Sequence, residues 1–211
     1  MNKWVWLLVG VIFIFAVGVT LPVVKRQRIE ANQTSAVSRL RCVGFALSEF
    51  ESEYGKWPDA ATALEIKRKT GSSLTLSDRT SNDVFVQLLA TGIVASEMVF
   101  ATYSQSTRKP DGDWHSDATA LAPGETGFAY ISGLSSKDNP SIPIVFGPVF
   151  LATRTVDAKS FENRGVALKL DNSVTSVPIT PVGKIIINGH DFLDPGNAFW
   201  QGKPPDVKWP K

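Results

Sequence analysis

Residues 4–24 read WVWLLVGVIFIFAVGVTLPVV, 21 positions without a charge. As a helix rising about 1.5 Å per residue this run is about 30 Å long, the hydrocarbon thickness of a bilayer. Trp4 and Trp6 stand where an interfacial aromatic belt would place them, and Lys25, Arg26 and Arg28 end the run abruptly. The helical pattern then continues. Val37, Leu40, Val43, Leu47, Phe50 and Tyr54 recur at steps of three and four, which puts them on one apolar stripe. Arg39, Arg41, Glu49, Glu51 and Glu53 fall mostly off that stripe. No proline lies between residues 26 and 54, so the spacing predicts one helix of about 50 residues, about 75 Å long, with Pro22 placed to kink it near the membrane edge. Gly55 can take the left-handed conformation that closes a helix, and Pro58 cannot continue one. YGKWP (54–58) is therefore a helix stop.

A cleaved signal peptide is the rival reading of the N-terminus, with Ala16-Val17-Gly18 as its cleavage site. Its apolar core would be only about 7–15 residues, shorter than this run. A soluble buried helix fits less well, because every face of the segment is apolar. The chain has 211 residues, a length that suits one domain plus an appendage. Hydrophobic residues make up 43% of it and charged ones 20%, the balance of a folded domain. A net charge of +2, with no basic stripe interleaved with aromatics, argues against a nucleic-acid partner. The single cysteine, Cys42, excludes an internal disulfide and reads as a small apolar residue on a helix face.

Further along, a short helix is expected at Ala60–Lys69. SNDVFVQLLATGIV (81–94) reads as a second, with Ser81 or Asn82 as its cap and Gly92 as its end. Residues 104–124 form a polar loop. Strands are expected at 127–134, at 142–151 with a break at Gly147-Pro148, at 165–170 and at 173–179, with a further candidate at 183–190. Asp171-Asn172 is the turn between the third and fourth. The tail from Asp191 reads as loop. Trp57, Trp200 and Trp209 either line a binding surface or lock these loops onto the sheet, as large aromatics do when buried.

The order of these parts resembles the type IV pilin-like proteins, and most closely the pseudopilins of bacterial type II secretion. ALSEFESEYGKWPD (46–59) is similar to the segment that ends their long helix. RLRCVGFAL (39–47) is similar to the stretch upstream of it, and VALKLDNSVTSVPI (166–179) to the hairpin that closes their small sheet. Asn172 stands where the family more often has glycine, and Val23 in GVTLPV (18–23) stands where its processing motif has glutamate. The resemblance implies an α+β fold: a long N-terminal helix, transmembrane and then amphipathic, packed on a small antiparallel β-sheet. It divides the chain into an anchor (1–25), a continuous amphipathic helix (26–55) and a globular α+β domain (56–211). It implies a structural subunit or minor component of a secretion or pilus-like assembly, with the inner membrane and other pilin-like subunits or secretion-machinery proteins as partners. The family exports its globular domain to the periplasm, whereas Lys25, Arg26 and Arg28 would keep it cytoplasmic by the positive-inside rule. The expectation is export. A membrane-tethered binding module that does not polymerise, using 104–124 and 191–211, is the alternative.

Catalytic chemistry is not expected. His115 and His190 are too few for most metal-catalytic sites, and no GxSxG, HExxH, CxxC or GxxxxGK[ST] occurs. No cofactor is expected. The acidic loop DGDWHSD offers Asp111, Asp113 and Asp117 to a hard cation, and the family's major subunits bind calcium in a loop near the sheet. The spacing does not match an EF-hand loop, so a solvated acidic loop remains the other reading, and Asp191 with Asp194 is a weaker candidate pair.

Overall fold

The computed structural model describes the backbone from Lys3 to Lys211 and the side chains from Leu21 onward. One helix, α1 (Lys3–Tyr54), runs for 52 residues with Pro22 inside it. Its C-terminal part is the spine of the domain. Leu40, Val43, Leu47 and Phe50 are at most 1% exposed and Tyr54 is buried, so the stripe faces the core as its spacing requires. Gly55 takes φ +74° and donates its N–H to Glu51 O at 2.7 Å, which closes the last turn. The anchor expectation rests on residues 4–24, whose side chains lie outside the described residues for all but the last four. Among the described residues no helix is long and apolar enough to cross a membrane.

Two short helices follow. α2 (Ala60–Thr70) starts at Asp59, whose carboxylate accepts Thr62 N while the Thr62 hydroxyl accepts Asp59 N, and it ends at Gly71 in the left-handed region. α3 (Ser81–Ala90) is capped by Thr80 in the same reciprocal way with Asp83, rather than by Ser81 or Asn82. Those two side chains serve tertiary structure instead. Ser81 Oγ donates to Phe128 O, and Asn82 bridges Leu121 O and Lys211 N. Buried Gln87 joins the two helices: its amide donates to Asp59 O and Ser77 O and accepts from Thr62 Oγ1. A 3₁₀ turn, η1 (Glu97–Phe100), comes next in a stretch where sequence reading assigned no element.

The sheet consists of β1 (Ala129–Ser132), β2 (Pro143–Gly147), β5 (Arg164–Lys169), β6 (Val174–Pro178) and β9 (Asp206–Lys208), in the order β6-β5-β2-β1-β9. All four pairings are antiparallel. β3 (Val149–Phe150) with β4 (Thr155–Val156), and β7 (Ile186–Ile187) with β8 (His190–Asp191), form two separate antiparallel ribbons. The β5–β6 hairpin turns at Asn172, φ +64°, as the Asp171-Asn172 pair predicts.

Alternate residues of the sheet face opposite ways. Tyr130, Val166 and Leu168 join the core under α1 and α3, whereas Ala129, Ile131, Phe146 and Ala167 join a second core. That second core is covered by the segment after β6, which contributes Ile179, Ile185, Phe192 and Trp200. Burial on both faces explains why residues 142–147 read as continuous apolar sequence rather than alternating. The tail is thus a packed layer and not free loop. Lys211 N donates to Asn82 Oδ1, Ser81 N to Trp209 O and Gly124 N to Lys211 O, which pins it to the start of α3 and to the end of the polar loop at Gly124. The protein is α+β, with a long N-terminal helix against a small antiparallel sheet.

Candidate functional site

The acidic loop does not gather the three aspartates proposed as calcium ligands. Asp113 accepts from His115 N and stands 3.1 Å from its Nδ1, so it folds its own turn. Asp117 ties down another strand of chain by accepting Thr75 N and Thr75 Oγ1, each at 2.6 Å. Asp111 alone meets other carboxylates: it lies with Glu97 and Glu125 so that one oxygen of each falls within 4.8 Å of the other two. Asp191 and Asp194 stay local, accepting from Leu193 N and Gly196 N, and Asp191 also pairs with Lys184.

Glu97 and Glu125, which sequence reading passed over, are the buried members of this trio at 0% and 1% exposure. Glu97 opens η1, and its two oxygens accept Leu121 N at 2.6 Å and Gly112 N at 3.2 Å. Glu125 accepts Ala122 N and pairs with Arg108 at 3.3 Å. Burial, with the charges of Glu125 and Asp111, pushes the Glu97 carboxyl above its ordinary 4.5, although the backbone N–H groups pull the other way. Chemically the trio can hold a proton or a hard cation, three carboxylates being a minimal oxygen donor set. Its oxygens already carry five hydrogen-bond or ion-pair partners, the Asp113 N–H on Asp111 among them, and their visible work is to fasten η1 to the loops at 112 and 121–125. Sequence gave one weak signal, a lone acid in the otherwise uncharged stretch ALAPGETGFAYISG.

Other polar residues also have structural duties that spacing does not reveal. Glu51, expected to sit idle on the polar side of α1, accepts Trp57 Nε1 at 3.0 Å and Ser136 Oγ at 2.8 Å. Trp57 is 7% exposed and so turns back over the helix end, with Phe50 and Tyr54 stacked at 4.6 Å beside it in the same core. Arg39, also expected on the polar side, is half-buried and donates to Ala101 O at 2.8 Å. Trp200 and Trp209 pack with Phe146 and Phe192 in the second core, which favours the locking role over an exposed binding surface.

What α1 leaves uncovered is apolar in part. Phe45 is 67% exposed, and with exposed Cys42, Ile93 and Val99 it lines an open groove of about 320 Å³ between α1 and the segment after α3. Cys42 is thus on the helix surface and not packed inside. No protein-family model, no curated protein and no solved structure matches the chain.

Proposed function

We propose that this chain is a membrane-anchored, pilin-like structural subunit or minor component of a type II secretion or type IV pilus-like assembly, held in a bacterial inner membrane with its globular domain on the periplasmic side. The observation that carries the reading is the single helix of 52 residues. Its last turns are the spine of the α+β domain, and residues 4–24 near its start are an uncharged run of membrane-spanning length. Two of the motifs behind the resemblance support the reading: the YGKWP stretch ends the long helix at Gly55, and the β5–β6 hairpin turns at Asn172. A rigid rod that presents Phe45 and Cys42 outside its own domain suits packing against neighbouring helices. Contacts of that kind are heterologous and need not close into a ring.

Full-length protein should stay with the membrane fraction through carbonate washing, and a reporter fused after Lys211 should be active in the periplasm. Release by the wash would remove the anchor, and activity confined to the cytoplasm would mean that Lys25, Arg26 and Arg28 set the topology. Val23, where the processing motif would need glutamate, favours a second reading, a tethered binding module that never polymerises. Cross-linking through Cys42 in membranes separates the two, since only a subunit of an assembly should give adducts with other pilin-like chains.

A further inference from the structure

Lys25, Arg28, Asn32, Ser35 and Arg39 recur along α1 at steps of three and four, so they form a polar stripe facing one direction. The domain meets the membrane-proximal end of this stripe with the segment after β4. Lys159 of that segment lines, together with Lys25, Arg28, Asn32 and Tyr103, an open cavity of about 560 Å³. Three cations therefore converge on one space, and Glu162 is its sole acidic wall residue. None of the three has a carboxylate within 4.0 Å among the described residues, although the adjacent Arg26 has found Glu30 at 3.1 Å. Like charges brought together in this way repel unless an anion joins them. The depth of the cavity is fixed by the helix. Lys25 directly follows the apolar run and Arg28 is about 6 Å beyond its end, inside a headgroup layer about 5–8 Å thick.

We propose that this cavity binds the phosphate of an anionic phospholipid from the bilayer that the apolar run enters. Lys25, Arg28 and Lys159 supply the charge, and Asn32 and the Tyr103 hydroxyl supply neutral donors. The site differs from an ordinary flank of basic residues because one of its cations belongs to the folded domain. Binding would therefore fix how the domain sits on the membrane as well as hold it there. The assignment rests on the anchoring proposed above. A second cavity, lined by Arg39, Arg108 and Lys109, lies further along α1, with Arg39 about 22 Å past the apolar run and out of headgroup reach, which makes Lys109 an internal control.

The test is lipid retention by the full chain, read by native mass spectrometry after insertion into nanodiscs of equal parts phosphatidylcholine and phosphatidylglycerol. The protein should leave the disc enriched in phosphatidylglycerol. R28Q/K159Q should lower that enrichment about thirtyfold, since each of the two surface cations contributes roughly 1 kcal/mol toward anionic lipid, and K109Q should leave it unchanged. Both altered residues are exposed, so the fold should survive, and an unchanged thermal transition would show that it does. Inserted protein that retains the two lipids equally, or loses as much with K109Q as with R28Q/K159Q, overturns the proposal alone. Displacement of the retained lipid by excess inorganic phosphate would assign the site to free phosphate and overturn the lipid source. A chain that inserts into neither bilayer overturns the anchoring and this proposal together.

Discussion

Trp57 and Glu51 show how much one residue can decide. Trp57→Ala empties a site that is 7% exposed and should cost about 3–5 kcal/mol. The loss should be visible as a lower urea midpoint in a fragment starting at Asn32. Spacing alone makes Glu51 a neutral surface position, but its bonds to Trp57 Nε1 and Ser136 Oγ change the expectation to a loss of about 1–2 kcal/mol for Glu51→Ala. The two losses should add to less than their sum in the double variant, because the residues are in contact. Two buried acids should give stability opposite dependences on pH. Burial pushes the Asp157 carboxyl up, but the hydroxyls of Ser160 and Ser104 and the N–H groups of Gln105 and Lys159 outweigh it and hold it below 3.8. A depressed value stabilises the fold above the unfolded pKa and is lost as pH falls through the folded one. Asp157→Asn should thus cost about 2–3 kcal/mol near neutrality and little in strong acid. Glu97 is raised above 4.5, mainly by burial, so its ionisation weakens the fold as pH climbs from there. Glu97→Gln should flatten that decline in urea melts run from acid to neutral pH.

At the scale of elements, the contact between α1 and the β5–β6 hairpin depends on the absence of a side chain. A Cβ on Gly44 would lie 1.8 Å from Asn172 Oδ1 and 3.0 Å from Leu168 Cδ1. Gly44→Ala would ordinarily favour a helix, by about 1 kcal/mol. Here it should destabilise by about 1–3 kcal/mol, because the hairpin must move away from the helix. Asn172→Ala in the same background should recover part of the loss by removing the clashing atoms, although it gives up a residue suited to φ +64°. A double-mutant cycle on thermal stability reads the coupling. The element boundaries themselves were largely legible. Gly55, Gly71 and the Asp171-Asn172 turn act through local backbone preference, which any six-residue window contains. The cap of α3 was misplaced by a residue because Thr80, Ser81 and Asn82 are all good caps. The competition among them was settled by Phe128 and Leu121, which are some 40 residues away.

For the whole molecule, the C-terminal tail is the part whose weight the sequence conceals. β9 extends the sheet beside β1, Trp209 packs edge-on against Phe146 at 5.8 Å, and Lys211 closes on Asn82. Removing residues 206–211 should lower stability by more than about 3 kcal/mol, since it strips a strand, an aromatic and a buried polar partner together. The two cores share one sheet, so the fragment from Asn32 should still melt in a single transition, with calorimetric and van't Hoff enthalpies in agreement. Two separate transitions would mean that the tail layer folds independently of the helix face.

The sequence by itself determined the long helix, its buried stripe, its stop at YGKWP and the hairpin at Asn172, because each depends on periodicity or on backbone preferences within a few neighbouring residues. Only tertiary structure decided the rest. β9 is three residues long and has no pattern of its own; it exists because Tyr130–Ser132 offers it hydrogen bonds. Asp111 was separated from Asp113 and Asp117 and joined to Glu97 and Glu125 because adjacent acids in a loop point where their own turns send them, while η1 and the loop before β1 bring distant carboxylates together. Lys159 reached the base of α1 in the same way. Charges distant in sequence meet only through the path of the chain between them, and no local preference encodes that path.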